Sequence, residues 1–318
     1  MFSFKYLFIK KMLAISEKAS ISDYKNIINE LIEINHINKI LMNDLVILKL
    51  IGEGAQSKVY EGYYNRAHCA IKILQNVDYK SLMSELVIIS HLKHPSIPKF
   101  YGIVIEDKNI SIVNEFIEGD TLDNLKLFDL NYDLKMKIIK DIGNVLEYMH
   151  VNHMIHRDLK PGNIILDKNH NVYLIDYGIS KICANKKNVM TSAKGTLNYL
   201  APESFEVKNL TENEEVISIV TPKVDVWAFG CLVSYIFSGE IPWENELNDC
   251  NNISLYKDII NHKDFQIPSS ISHMNKICEI IKLCTIIDEN RRISMTEVND
   301  ILYKYDYYRT EDHKATLG

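Results

Sequence analysis

The stretch that decides the fold lies at residues 156–165 and reads HRDLKPGNII, with DYG following at Asp176. An aspartate such as Asp158 can accept the proton of an incoming hydroxyl group, or at least orient that group. Lys160 can neutralise the charge of a phosphoryl group, while Asn163 and Asp176 offer the hard oxygen atoms that Mg²⁺ prefers. Groups suited to phosphate and metal chemistry are therefore concentrated in one short region.

A second set of residues suited to binding phosphate groups precedes this stretch in the sequence. A strand-like run ends at Ile51 and leads into GEGAQS at residues 52–57, where glycines let backbone amides lie close over phosphates. Lys72 lies in another strand-like run, and a buried lysine is costly unless it is paired. Glu85, on the next predicted helix, is the expected partner. Taken singly, these features also fit an ordinary turn and a surface ion pair.

These motifs together resemble the eukaryotic protein kinase family, from Asp44 to about Leu302. The chain carries the glycine-rich loop, the A-I-K lysine, the helix glutamate, H-R-D-L-K-P-x-N and a variant of D-F-G. It also carries Gly195-Thr196, A-P-E ending at Glu203, and DVWAFG beginning at Asp225, which resembles the buried helix that anchors the catalytic loop. Arg292 resembles the arginine that pairs with Glu203.

The resemblance implies an α+β fold with two lobes and a nucleotide cleft. The N-lobe (44–117) is expected to be a small antiparallel sheet with one main helix, and the C-lobe (118–302) larger and mostly helical. Glu118-Gly119-Asp120 interrupts the strand pattern and is expected to be the hinge between the two lobes. A C-terminal tail (303–318) is expected to be loosely held.

Residues 1–43 are expected to form an N-terminal helical extension. Apolar residues recur at helical spacing between Ser22 and Leu41, namely Ile27, Leu31, Ile34, Ile37 and Leu41. This helix is expected to pack on the kinase domain, and a docking or dimerisation helix is the alternative.

The resemblance also assigns roles to individual residues. Catalysis is expected to rest on Asp158, Lys160, Lys72 and Glu85. A divalent ion, Mg²⁺ or alternatively Mn²⁺, is expected at Asn163 and Asp176. ATP is expected to contact the glycine-rich loop, the two residues that hold the adenine edge and the apolar residues against its faces, namely Ile51, Gly52, Gly54, Ser57, Val59, Ala70, Lys72, Glu115, Ile117 and Ile165.

Three residues depart from the family pattern without removing a phosphate or metal ligand. Tyr177 replaces the phenylalanine of D-F-G and adds a hydroxyl group that needs a partner. Ser57 replaces the third glycine of the loop. Asn114 occupies the position behind the adenine, and a buried asparagine is expected to be hydrogen-bonded.

The acceptor is expected to be serine or threonine of protein substrates, because Lys160 follows Asp158 by two residues as in that class. GTLNYLAPE (195–203) and HPSIPKFYG (94–102) are similar to tyrosine-kinase-like serine/threonine kinases, so dual specificity stays open. Arg157 precedes Asp158, and in the family such an arginine often binds a phosphate on the activation segment. Thr191 or Ser192 is therefore the expected activation site, modified by an upstream kinase.

Two other function classes remain as alternatives. A pseudokinase acting as a scaffold would usually lack one of Lys72, Asp158 and Asp176, and all three are present. A small-molecule kinase would normally lack the segment that contains Gly195-Thr196 and A-P-E. An acidic insert at residues 206–219 is expected to be a solvated loop, or alternatively an acidic rim that favours basic substrates.

The whole-chain properties exclude several other classes. The net charge of −6 over 318 residues gives no reason to expect a nucleic-acid partner. The six cysteines form no CxxC pair, and the spacing of His150, His153 and His156 is read as structural rather than as a zinc site. Lysines interrupt the apolar run at residues 1–15, so no transmembrane segment of about 20 residues is expected. We expect a cytoplasmic protein, with a peripheral membrane contact as the alternative and the oligomeric state open.

Overall fold

The computed structural model describes residues 21–54, 57–75, 77, 79–106, 110–176, 197–205, 221–248 and 263–304. They form two compact units. Unit 1 contains the described residues up to Leu92 together with Lys99–Phe116, and unit 2 contains Lys93–Pro98 and the described residues from Ile117 onward. Unit 1 is built on a sheet and unit 2 is mostly helical, which confirms the predicted α+β fold class. The acidic insert at 206–219 and almost all of the tail lie outside the described residues.

Among the described residues of unit 1, five strands form one antiparallel sheet in the order β1-β2-β3-β5-β4. The strands are β1 Leu45–Glu53, β2 Ser57–Tyr64, β3 Ala67–Leu74, β4 Phe100–Ile105 and β5 Ile110–Glu115. A two-residue turn joins β2 to β3, and both its residues, Asn65 and Arg66, have positive φ (48° and 70°). Such a turn matches the twist of a hairpin. One face of the sheet packs an apolar cluster that includes Cys69, Ile71 and Val113.

Helix α1 (Ile21–Ile34) is shorter than the sequence predicts. His36 adopts a left-handed conformation (φ 50°), and the amides of Ile37 and His36 donate to the carbonyls of Ile32 and Glu33 at 2.8 and 3.2 Å. These two bonds form a Schellman motif, which ends a helix. The predicted helix to Leu41 is therefore wrong, because a histidine takes the position usually signalled by glycine.

The apolar stripe predicted between Ser22 and Leu41 is only partly the buried one, since of its members Leu31 and Ile37 are buried. Ile28, Leu31 and Ile32 are buried, whereas Ile34 is 55% and Leu41 66% exposed. The chain beyond α1 lies beside β4, where the amide of Ile40 donates to Ile103 at 2.8 Å. The second helix of unit 1 is α2 (Tyr79–His91).

Unit 2 is organised around α4 (Lys223–Ser238), which is buried along almost its whole length. Trp227 and Phe229 have no exposed surface, and Gly230 allows the close approach of Cys284, where a Cβ would overlap. The other helices described are α3 Tyr132–Val151, α5 Glu244–Asn248, α6 Asn275–Cys284 and α7 at 295–304. No helix in the described ranges is both long and apolar enough to cross a bilayer.

A small antiparallel sheet of unit 2 carries residues next to the motifs. Its strands are β6 Gly119–Thr121, β7 Ile164–Asp167 and β8 Val172–Leu174, in that order. The expected interruption at Glu118-Gly119-Asp120 is therefore partly a strand, in which Gly119 pairs with Asp167. A side chain at Gly119 would overlap the carbonyl of Leu166, so glycine permits this pairing.

The segment that follows α2 belongs to unit 2 for identifiable reasons. The amide of Lys93 donates to the hydroxyl of Tyr148 at 2.9 Å, and the ring of His94 lies 5.2 Å from the ring of Tyr148. The carbonyl of Ser96 accepts a hydrogen bond from the amide of Leu174 at 2.8 Å. These contacts tie the segment to α3 and β8.

The cysteines of the described ranges are core residues. Cys69, Cys231, Cys278 and Cys284 are free thiols and are buried. Burial raises the pKa of Cys69 to about 11 and also raises the pKa values of Cys231 and Cys284. The thiols of Cys69, Cys231 and Cys284 are therefore protonated at neutral pH and poorly reactive.

Candidate active site

One face of the unit 1 sheet carries four residues that the sequence analysis places at the nucleotide: three are expected to contact ATP and one to lie behind the adenine. Val59 lies directly opposite Lys72, and Ala70 lies directly opposite Asn114. Residues opposite each other on neighbouring strands share a face, and residues two apart on one strand do too. Val59, Ala70, Lys72 and Asn114 therefore share the face opposite the apolar cluster that contains Ile71.

Lys72 on β3 and Glu85 on α2 form the predicted ion pair. The Nζ of Lys72 lies 3.1 Å from Oε1 of Glu85, and the two side chains are only 17% and 10% exposed. Two charges taken out of water are tolerated when each neutralises the other. The pair therefore holds the lysine ammonium in a defined place on the sheet.

The glycine-rich loop leaves space beside its backbone. A Cβ on Gly52 would come no closer than 3.8 Å to Val59, and one on Gly54 no closer than 3.9 Å to the carbonyl oxygen of Ser57. Packing against the described residues, which do not include 55 and 56, therefore requires glycine at neither position. A ligand that approaches the backbone closely would require it. Ile51, at the end of the preceding run, is 42% exposed.

The two residues expected at the adenine edge differ in whether their backbone N–H group is available to a ligand. The amide of Glu115 donates to the carbonyl of Lys99 at 2.7 Å, so this N–H is not available to a ligand. The amide of Ile117 makes no hydrogen bond within the described part of the chain and remains available. Of the two backbone positions predicted, only Ile117 can therefore donate.

The side-chain oxygen of Asn114 does not behave as predicted. Oδ1 is buried and accepts no hydrogen bond from the described residues, so this oxygen does not make the expected hydrogen bond. The residues opposite it on the neighbouring strands are Ala70 and Phe100, whose side chains have no donor. The sequence predicted where Asn114 lies in the family pattern, but it did not show that its neighbours on the adjacent strands would lack a hydrogen-bond donor.

In unit 2, Asp158 lies at the centre of a polar cluster. It is 6% exposed, and the Nζ of Lys160 lies 3.0 and 3.2 Å from its two carboxylate oxygens. The Nδ2 of Asn163 donates to the backbone carbonyl and to Oδ2 of Asp158, at 2.7 and 3.0 Å. Because the amide nitrogen of Asn163 faces Asp158, its oxygen Oδ1 points away from that residue.

Asp176 follows β8 in an unusual backbone conformation. Its φ is 58°, in the left-handed region that non-glycine residues rarely adopt. Its neighbour Ile175 donates an amide hydrogen bond to the carbonyl of Asn163 at 2.9 Å, which connects the segments of the two predicted metal ligands. Backbone strain of this kind is concentrated at functional sites. Ile165 pairs with Tyr173 between these segments.

The catalytic-loop backbone is held by a single buried carboxylate, that of Asp225 on α4. It accepts hydrogen bonds from the amides of His156 and Arg157, both at 2.8 Å. The Nε2 of His150 lies 2.8 Å from the same carboxylate. Burial favours the protonated acid, but the hydrogen bond and charge of His150 and the hydrogen bond from the amide of Arg157 outweigh it. The pKa of Asp225 is therefore below its ordinary value.

His156 links the catalytic loop to the segment before Asp176. Its Nδ1 accepts from the amide of Asp158 and its Nε2 lies near the carbonyl of Ile175, both at 3.3 Å. This arrangement matches an imidazole with its proton on Nε2. His150 and His156 thus both have structural hydrogen-bonding partners.

Arg292 and Glu203 form the predicted pair. Nη1 and Nη2 of Arg292 lie 2.6 and 3.0 Å from the two carboxylate oxygens of Glu203. Arg292 is 1% exposed and also lies 5.1 Å from the ring of Trp227 on α4. A bidentate, buried arginine of this kind fixes the orientation of its partner. The A-P-E segment is therefore anchored to the core of unit 2.

Comparison with known proteins agrees with this geometry. Residues 45–303 match the family described as the protein kinase domain. The chain belongs to the protein kinase family. This match covers most of the chain and confirms both the resemblance and the two-lobed kinase fold.

Individual relatives are moderately similar to the chain. It is 29% identical over 273 residues to a probable serine/threonine-protein kinase of Dictyostelium discoideum, covering 83% of this chain and 28% of that protein. It is 30% identical over 263 residues to the carbon catabolite-derepressing protein kinase of Secale cereale, covering 79% and 49%. It is 31% identical over 245 residues to the Aurora kinase of Saccharomyces cerevisiae, covering 73% and 61%. The chain thus spans less than two thirds of each of these relatives.

Several expected kinase features lie outside the described residues. They are Tyr177, Gly178, Thr191, Ser192 and Gly195-Thr196. The similarity to tyrosine-kinase-like kinases stays a prediction.

The motif that begins at Asp225 predicted a buried helix that anchors the catalytic loop, and the structure confirms it, but the sequence analysis gave Asp225 itself no role at the site. The signal was present, because α4 is an almost wholly apolar helix in which Asp225 is the only acidic residue. A buried acid in such a helix must be paired. Two of its three partners, however, are backbone amides, which a residue motif does not display.

We predict that Asp225→Asn lowers the free energy of unfolding by about 3 kcal/mol at pH 7, since removing one member of a buried charged network leaves the others unpaired. Because the pKa of Asp225 is lower in the folded state, its contribution is full above the unfolded value, about pH 4. The contribution is lost as the pH falls through the folded pKa. Urea unfolding from pH 7 to pH 3 measures both effects.

The matched control is Asp264→Asn at an exposed position, which is expected to change the free energy of unfolding by less than about 0.5 kcal/mol. Equal unfolding free energies for the wild type and Asp225→Asn at pH 7 would contradict the role given to this carboxylate.

Proposed function

We propose that this protein transfers the γ-phosphoryl group of ATP to serine or threonine hydroxyl groups of protein substrates. The observation that carries the proposal is the cluster around Asp158. Its carboxylate is nearly buried, contacts Lys160 at 3.0 Å and Asn163 at 3.0 Å, and lies next in sequence to backbone held by Asp225. A carboxylate fixed in this way can orient a hydroxyl group and take its proton.

The protein kinase domain implies ATP and a divalent metal ion, and we propose Mg²⁺ as that ion. The residues present fit this ligand. The Oδ1 of Asn163 points away from Asp158, Asp176 would supply a second hard oxygen ligand, and no described atom lies closer than 3.8 Å to a Cβ placed on Gly52 or Gly54, which would let phosphates approach the backbone there. Bound Mg²⁺–ATP supplies the transferable phosphoryl group and part of the charge neutralisation.

The protein's own residues would position the reactants and balance their charge. Lys72, held by Glu85, would bind phosphate oxygens, and Val59 and Ala70 on the same sheet face would contact the adenine. The N–H of Ile117 would donate to the adenine edge. Lys160 would stabilise negative charge beside Asp158 as the hydroxyl group attacks. Placement and electrostatics of this kind provide most of the catalysis of phosphoryl transfer.

The class of acceptor is inferred from two observations. Lys160 contacts the carboxylate of Asp158, and one of the relatives above is named a serine/threonine-protein kinase. Glu203 is anchored by Arg292, which supports an ordered platform for a peptide rather than for a small molecule. We further propose a cytoplasmic protein that acts on protein substrates and is activated by an upstream kinase.

Transfer of γ-labelled phosphate from Mg²⁺–ATP tests this function directly. In a single-turnover assay with a mixed basic protein substrate, the wild type is expected to label serine or threonine, identified after acid hydrolysis. Asp158→Ala is expected to lower the rate by about 10²- to 10⁴-fold, because the positioned base is lost. Asp129→Ala, at an exposed aspartate, is the matched control and is expected to retain the wild-type rate.

Two results would contradict the proposal. One is intact wild-type protein that binds ATP but transfers no phosphate, even after treatment with an activating kinase. The other is undiminished labelling by Asp158→Ala. Labelled tyrosine beside serine or threonine would instead establish dual specificity.

We predict that phosphorylation of Thr191 or Ser192 raises activity. Arg157 has a left-handed backbone (φ 66°) that Asp225 holds through its amide, and its guanidinium group could bind a phosphate on the activation segment. The double variant Thr191→Ala/Ser192→Ala should therefore lose the stimulation that the wild type shows after treatment with an activating kinase and ATP. Full, stimulated activity of the double variant in the same assay would rule out both sites.

A further inference from the structure

The segment that precedes the kinase domain is built into unit 1. We define residues 21–41 as the N-terminal brace. Its helix α1 packs against α2, the helix that carries Glu85. The rings of Tyr24 on α1 and Tyr79, the first residue of α2, stack with centroids 5.6 Å apart and an angle of 15° between them. Ile28 and Leu31 of α1 are 1% and 0% exposed.

Helix α2 needs a second layer because its buried surface is wide. Buried residues occupy more of its circumference than one sheet face covers, namely Leu82, Met83, Glu85, Leu86, Val87 and Ile89. α1 supplies apolar cover for this helix. The position of Glu85 therefore depends on contacts made outside the region that matches the kinase family, which begins at residue 45.

The other end of the brace is attached to the sheet. The carbonyl of Asn38 accepts from the amide of Ile103 at 2.9 Å, and the amide of Ile40 donates to the carbonyl of Ile103 at 2.8 Å. Gly102 makes this approach possible, because a Cβ there would overlap the carbonyl of Asn38. The brace thus joins α2, which carries Glu85, to the sheet that carries Lys72.

We propose that the N-terminal brace is a positioning element that keeps Glu85 paired with Lys72, so that a displacement of α1 lowers phosphoryl transfer. This proposal rests on the proposed function. The brace acts through the ion pair and touches no reacting group. Because the brace belongs to the same chain, no second protein is needed to hold α2 against the sheet. Any ligand or modification that displaces α1 would lower the rate of phosphoryl transfer.

Tyr24 is the position at which the proposal can be tested with little risk of unfolding. It is only partly buried, unlike Ile28 and Leu31. Tyr24→Ala removes the ring stack, and Tyr24→Phe retains it. Ile34→Ala, at a 55% exposed site on the same helix, is the matched control. All variants are assayed at a temperature well below their measured Tm.

The decisive experiment is a double-mutant cycle with Glu85→Gln, measured as kcat/KM for phosphate transfer. Tyr24→Ala is expected to lower kcat/KM about two- to tenfold in the wild-type background, the range that corresponds to loss of an aromatic pair. In the Glu85→Gln background it should have no further effect, since the interaction it supports is already broken. Tyr24→Phe and Ile34→Ala should match the wild type.

Hydrogen exchange of the amides of α2 supplies a readout that does not depend on activity. Tyr24→Ala is expected to accelerate exchange at 79–91, whereas Tyr24→Phe is not. Equal losses of kcat/KM in both backgrounds, or unchanged exchange in α2, would overturn the proposal and leave only a general stabilising role. If the wild type transferred no phosphate, the proposed function would fail, and exchange in α2 would still decide whether the brace holds that helix.

Discussion

The rest of unit 2 depends on the hydrogen bonds that the buried carboxylate of Asp225 accepts from the catalytic loop. It lies in an apolar helix where an unpaired charge would be very costly, and the amides of His156 and Arg157 provide the compensation. The requirement is mutual. Two consecutive amides of a loop need an acceptor, and the acid needs donors. Satisfying both fixes the backbone immediately before Asp158.

Other polar contacts extend this constraint through the unit. His156 connects the loop to Ile175, the residue before Asp176, while Arg292 connects α4 to Glu203. The segments that carry Asp158, Asp176 and Glu203 are thus held in place by buried hydrogen bonds and ion pairs rather than by surface contacts. Such pairs add little net stability over apolar packing, but they specify one arrangement, which is what placement of a reacting hydroxyl group requires.

Unit 1 uses the same principle with different parts. Lys72 and Glu85 come from a strand and a helix, so their pairing depends on how that helix packs. A sheet face alone does not cover α2, and α1 supplies the additional layer. The chain outside the family match therefore contributes to the geometry of a site within it.

The sequence motifs predicted the ion pairs correctly because both partners of each pair are motif residues whose side chains contact each other. Lys72 with Glu85 and Arg292 with Glu203 were both predicted from residue types and order, and the structure confirms them. The end of α1 was missed because His36, rather than glycine, takes the left-handed position. Backbone hydrogen bonds to Asp225 were missed for a related reason, since amides are present at every residue and leave no mark in the sequence.

Hydrogen exchange at the amides of His156 and Arg157, followed by NMR in the wild type and in Asp225→Asn, tests the central claim most directly. The account predicts that both amides exchange only through large-scale opening in the wild type, and that Asp225→Asn accelerates both by at least about tenfold, since a charge-assisted hydrogen bond contributes roughly 1.5–3 kcal/mol. Equal exchange rates in the two proteins would contradict it. The loop that carries Asp158 would then be held by something other than this carboxylate.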